Sequence, residues 1–142
     1  MKKLIYILTA VMLLASCGKN GGSKTPAELL CNQWHSVSLT VSGDIYLDFT
    51  DDGKFEMYQK IGEGAYRLYR GTWNVEEDLL TGRYNDGEEW ATAYRIAIEG
   101  SSLTMTSLDD AAEVSRFSSC PIPEEVKKGC ETVVKSYSLI IC

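Results

Sequence analysis

From Val37 to Met57 the chain reads VSLTVSGDIYLDFTDDGKFEM, and the period of that stretch decides the fold. Val37, Leu39 and Val41, then Ile45, Leu47 and Phe49, then Phe55 and Met57, alternate with residues that are mostly Ser, Thr, Asp or Glu. Successive side chains of an extended strand point to opposite faces, so this alternation marks strands with one face buried and one wet. Ser42-Gly43-Asp44 and Asp51-Asp52-Gly53 interrupt the runs with residues that tolerate tight or left-handed turns, so neighbouring runs fold back as hairpins. The same grammar continues to residue 119, with turn formers at Glu76-Glu77-Asp78, Asn85-Asp86-Gly87, Glu99-Gly100-Ser101 and Asp109-Asp110. Eight strands result, over His35–Val41, Ile45–Thr50, Lys54–Lys60, Ala65–Val75, Leu79–Tyr84, Glu89–Ile98, Ser102–Leu108 and Glu113–Ser119. No crossover helix separates them, which makes the fold all-β and the order antiparallel and up-and-down. An open meander leaves two unpaired edges, and closing it into an eight-stranded β-barrel removes both. A β-sandwich has the same period and stands as the alternative.

Helices are expected at both ends of this set. Thr25-Pro26-Ala27-Glu28 reads as a capping box, with Thr25 at the N-cap, Pro26 at the first helical position and Glu28 reaching back to the Thr25 amide, opening a short helix to about Asn32. After Pro121-Ile122-Pro123 the period becomes helical: Val126, Cys130, Val133, Val134 and Tyr137 form an apolar stripe, with Glu124 and Glu125 in the first turn and Lys135 near the end. The folded domain then spans 26–137, and 138–142 is a short apolar tail of unassigned role.

The chain begins with an address. Lys2 and Lys3 precede an apolar run from Leu4 to Leu14, too short for the roughly 20 residues of a membrane-spanning helix. It ends in Leu14-Ala15-Ser16-Cys17, which resembles the lipobox of bacterial lipoproteins. That resemblance implies a signal peptide over 1–16, acyl chains on Cys17 that anchor the protein to a lipid bilayer, and a flexible tether to residue 25 with a reach of roughly 16 Å. Gly18 after the cysteine, where an Asp would hold such proteins at the inner membrane, implies the outer membrane, and the lack of an acidic run after Cys17 favours a periplasm-facing domain. The whole chain has a net charge of −6, and losing Lys2 and Lys3 leaves twelve basic against twenty acidic residues, a balance that disfavours nucleic acid as a partner.

Trp34 at the start of the first strand, Asp51-Asp52-Gly53-Lys54-Phe55 at the second turn, Gly71-Thr72-Trp73 in mid-chain and Leu103-Thr104-Met105 after the Gly100 turn give the chain a second resemblance, to the small lipocalin-like lipoproteins of Gram-negative bacteria. The family usually has Gly-x-Trp where this chain has Asn32-Gln33-Trp34. The resemblance implies a barrel floor in which a basic residue of the last strand, here Arg116, stacks on Trp34. Trp34 is out of phase with Val37, Leu39 and Val41, so a bend or bulge separates them. Beyond Cys17 stand Cys31, Cys120, Cys130 and Cys142, which allow three pairings. Strand one lying against strand eight favours Cys31 with Cys120, and Cys120 with Cys130 comes next.

The residues offer little for catalysis. His35 is the sole histidine, the acidic pairs Asp51-Asp52 and Glu76-Glu77 lie in turns, and Asp48 to Gly53 departs from a calcium loop. Zinc would want clustered ligands such as Cys-x-x-Cys, which are absent. No catalytic residue, metal or cofactor is therefore expected. Tyr58, Tyr69, Trp73, Tyr84, Trp90 and Tyr94 lie on the middle strands as a candidate set for holding a small apolar or planar ligand, with Arg67 or Arg95 fixing its polar end. The competing expectation is an accessory protein of an outer-membrane complex whose interior is filled by those same rings.

Overall fold

The computed structural model describes residues 23–133. The leader, Cys17, most of the tether, the far end of the expected C-terminal helix and the tail with Cys142 lie outside the described residues. Helix α1 (Pro26–Leu30) is opened by the capping box: the Glu28 amide donates to the Thr25 hydroxyl, and the Thr25 amide donates to the Glu28 carboxylate at 2.7 Å. Strands β1 (Gln33–Ser38), β2 (Asp44–Phe49), β3 (Lys54–Lys60), β4 (Arg67–Glu76), β5 (Leu79–Tyr84), β6 (Tyr94–Glu99), β7 (Ser102–Ser107) and β8 (Val114–Ser119) follow. Each pairs antiparallel with the next, and β8 returns to β1, closing an eight-stranded up-and-down barrel. The sandwich alternative is excluded by that seam.

The seam holds the bulge that the phase of Trp34 requires. Trp34 lies opposite Ser119 and Ser36 opposite Phe117, then the register slips so that Ser38 meets Arg116. Val37 is the extra residue; it is turned outward and is 69% exposed, while Trp34 points inward and is 1% exposed. The interior is filled from alternating positions: Ile45, Leu47, Phe49, Phe55, Met57, Tyr69, Leu80, Ile96, Leu103, Met105 and Phe117 are all buried there with Leu30 and Trp34. Short turns after β2, β4 and β6 mark one end of the barrel, and α1 lies across it, with the Trp34 Nε1 donating to the Leu30 carbonyl at 3.0 Å. The other end carries the longer loops 39–43, 61–66, 85–93 and 108–113.

Two expectations change. The sixth strand begins at Tyr94 instead of Glu89, because 88–90 folds back along β5: the Trp90 amide donates to the Gly82 carbonyl at 2.9 Å. Gly82 is needed there, since a Cβ on it would lie 2.2 Å from the Trp90 indole. The C-terminal helix, expected to reach Tyr137, stops at Gly129 as α2 (Glu124–Gly129), followed by β9 (Glu131–Thr132), which pairs parallel with Arg67 and Leu68 of β4. Gly129 and the β-branched Thr132 and Val133 are weak helix formers, and β4 has an unpaired edge above β5 that the chain takes instead. Val126 of α2 covers a second cluster on the outer wall, made of Tyr46, Tyr58, Leu68 and Ile122.

Candidate functional site

At the end of the barrel away from α1, a cavity of about 440 Å³ opens between the β3–β4 hairpin and β9. Gln59, Ile61, Glu63, Gly64, Ala65, Arg67 and Glu131 line it. Gln59 and Arg67 face each other across β3 and β4, in the row above Met57 and Tyr69, so by strand alternation these side chains share the inner face. Gln59 is only 4% exposed, a polar amide that lines the cavity from the barrel wall. Glu131 arrives through the parallel pairing of β9 with β4, and Val133 packs on the interior cluster just beyond.

Beneath this mouth lies a chain of rings. Phe55 meets Trp90 edge-on at 5.0 Å and Tyr84 at 6.0 Å, Tyr84 meets Tyr69 at 6.1 Å, and Trp90 meets Tyr94 at 6.1 Å. Such tilted contacts are favourable for aromatic pairs. The Tyr69 hydroxyl is buried and finds no acceptor among the described residues, with the Arg67 guanidinium as its polar neighbour. Burial raises its proton affinity and the nearby Arg67 guanidinium opposes that rise. Burial also pushes Tyr84 and Tyr94 up to about 12, so all three phenols stay protonated near neutral pH and serve as donors.

The structure therefore separates the six aromatic candidates. Tyr69, Tyr84, Trp90 and Tyr94 share the interior below the mouth; Trp73 is inside but near the α1 end, where it meets Phe49 edge-on and donates Nε1 to the Lys54 carbonyl. Tyr58 is a correction: it lies on the outer wall under α2, with its hydroxyl on Glu56, because the inner phase of β3 belongs to Phe55, Met57 and Gln59. Arg67 lines the cavity, whereas Arg95 is taken up by Asp78 at 3.0 Å. The sequence reading missed Gln59 and Glu131, although Gln59 in phase with Phe55 and Met57 was a usable signal.

The Trp34 and Arg116 stack does not form. Their strands are neighbours, but Arg116 is exposed and alternates with the buried Phe117, which puts it on the opposite face of the wall from Trp34. The favoured thiol pairing does not form either: Cys31, Cys120 and Cys130 are all free. Gln33, not Cys31, is the residue that meets Cys120 across the seam, and the Cys31 thiol turns back to the Ala27 carbonyl.

His35 is not isolated. Its Nε2 lies 2.6 Å from Asp44 Oδ1, its ring stacks on Tyr46 at 4.1 Å, and Asp44 also accepts from Ser36 and from the Tyr66 hydroxyl. Burial works to raise the Asp44 carboxyl, yet the hydrogen bonds from Tyr66 and His35 outweigh it and hold it below the usual aspartate value. Ser36 donates to the carboxylate, so the three residues lack the serine-to-histidine bond of a nucleophilic triad. The network instead ties β1 and β2 to Tyr66, next to the cavity-lining Ala65.

No curated protein matches the chain. Residues 31–105, more than half of it, match the family model described as a lipocalin-like domain. The closed eight-stranded antiparallel barrel is consistent with that match, and the chain belongs to the lipocalin-like domain family.

Proposed function

We propose that this protein is a membrane-anchored lipoprotein of the outer membrane, facing the periplasm, whose barrel binds a small apolar or planar ligand without chemistry. The observation that carries the reading is the open end itself: a cavity of about 440 Å³ at the mouth of the barrel, with Gln59 and Arg67 in its lining and the Tyr69 ring next in line on the inner face of β4. Its lining mixes Ile61, Gly64 and Ala65 with Gln59, Glu63, Arg67 and Glu131, so polar groups that can orient a ligand are at hand. The anchor and location rest on the Leu14-Ala15-Ser16-Cys17 motif and on Gly18.

The contacts that build the barrel lie within residues 25–133, so the chain from residue 18 to 142 retains them and is the form to test. Titration with the neutral dye N-phenyl-1-naphthylamine should give saturable fluorescence at one site, and Tyr84→Ala should weaken it by about tenfold. Linear, non-saturating fluorescence would defeat the reading. For the anchor, metabolic labelling with an alkynyl fatty acid should mark the wild type and leave Cys17→Ser unlabelled. A second reading, an accessory protein that docks by its rim, draws on Val37, Ile61 and Leu108, exposed apolar residues near the end with the longer loops. A stoichiometric protein partner released by charging those three positions would favour it.

A further inference from the structure

We propose that the mouth of the barrel selects ligands bearing a carboxylate, held by Arg67 and by the Tyr69 hydroxyl with Gln59 beside them; this rests on the binding reading above. Three neighbouring positions on the inner face of β3 and β4 carry it, two of them in the lining of the cavity. The Tyr69 hydroxyl, in a residue 3% exposed, has no acceptor among the described residues. Arg67, on the same strand and the same face two residues earlier, forms no ion pair among the described residues, although most arginines of the barrel do: Arg70 holds Glu56, Arg83 holds Glu89 and Arg95 holds Asp78. Gln59, opposite Arg67 in the register, is an amide 96% removed from solvent that nevertheless lines the cavity.

A group that satisfies all three must accept several hydrogen bonds and carry negative charge. A carboxylate has two oxygens, enough for a guanidinium fork and a phenol at once, and charge-assisted bonds of this kind are short and directional. Glu63 and Glu131 also line the cavity, but both are exposed, Glu63 in the hairpin loop and Glu131 in β9. Arg67 is exposed as well, and the two carboxylates form no ion pair with it among the described residues. They act against polyanions, so the mouth favours a single carboxylate on a compact body over a phosphate with two charges.

The test compares two probes with the same body. Isothermal titration of the chain from residue 18 to 142 with 2-naphthoate and with uncharged 2-naphthylmethanol should show the acid binding about tenfold more tightly near neutral pH. Arg67→Gln should bring the two within about threefold by weakening the acid more than the alcohol, and Tyr69→Phe should weaken the acid several-fold with less effect on the alcohol. Arg67→Lys, which keeps the charge and loses the planar fork, should fall between. Circular dichroism and thermal melting of each variant separate loss of the head-group contact from loss of the fold. Equal affinity of wild type for both probes, or a preference that survives Arg67→Gln in a folded variant, overturns the carboxylate inference and leaves the binding reading standing. Absence of binding by either probe overturns both.

Discussion

Asp44 concentrates more interactions than any single turn residue should need: His35, Ser36 and Tyr66 all converge on one carboxylate. Because the folded carboxyl is held below the usual aspartate value, its stabilisation is present above the unfolded value of about 3.9 and is lost as pH falls through the folded one. Asp44→Asn should therefore cost about 1–2 kcal/mol in urea unfolding at pH 7, and the difference from wild type should shrink as pH falls below the unfolded value. A constant difference across that range would mean that the network stabilises by shape alone. Gly82 poses the opposite case, a residue defined by what it lacks. A methyl there would collide with the Trp90 ring at 2.2 Å, so Gly82→Ala should expel the indole, red-shift the tryptophan emission and cost about 1–3 kcal/mol. Neither residue announced its role in the sequence, because His35 and Asp44 meet only after the hairpin closes, and Gly82 meets Trp90 only after 88–90 folds back.

Among elements, α1 works as the floor of the barrel. Leu30 is fully buried and Trp34 hangs from its carbonyl, so Leu30→Ala should cost about 2–5 kcal/mol and Thr25→Ala about 1 kcal/mol through loss of the cap, both read from denaturant midpoints. Both changes are at the end opposite the cavity, so ligand affinity at saturating folded fraction should stay within about threefold; a larger loss would mean that floor and mouth are one mechanical unit. The elements legible in the sequence are those whose signals are local. Period-two alternation and turn residues placed β3, β5 and β7 to within a residue, and the box at Thr25 placed α1. What failed was non-local. The apolar stripe from Val126 to Tyr137 is compatible with a helix, and it takes the unpaired edge of β4, added to the weak helix formers Gly129, Thr132 and Val133, to explain why the chain leaves the helix at Gly129 and sends Val133 to the interior. The same limit hid the cavity, whose walls come from a hairpin loop and from β9, with Ala65 and Glu131 66 residues apart and no pattern to join them.

For the whole molecule, closure is uneven around the circumference. Neighbours β2 and β3, β3 and β4, and β6 and β7 each match over six residue pairs, but β5 and β6 match over two, Leu79 with Arg95 and Leu80 with Tyr94. Above those two pairs the wall is made by 88–90, which bonds to β5 and not to β6. A barrel opens first where its ladder is thinnest, and the thin stretch here borders Tyr84, Trp90 and Tyr94, the rings beneath the mouth. Amide exchange of the ligand-free protein should therefore be fastest among paired strands at β5 and β6, by about 100-fold over β2 and β3, and ligand should slow it most there. The Tyr94 and Trp90 amides report directly on the seam. Binding to the closed form alone raises stability by about 2.7 kcal/mol at a free ligand concentration one hundred times Kd, so the protection gained at that seam should approach the global gain and no more. Uniform protection around the barrel would place the opening step elsewhere, and protection confined to β1 and β8 would identify the bulged seam at Val37 as the way in.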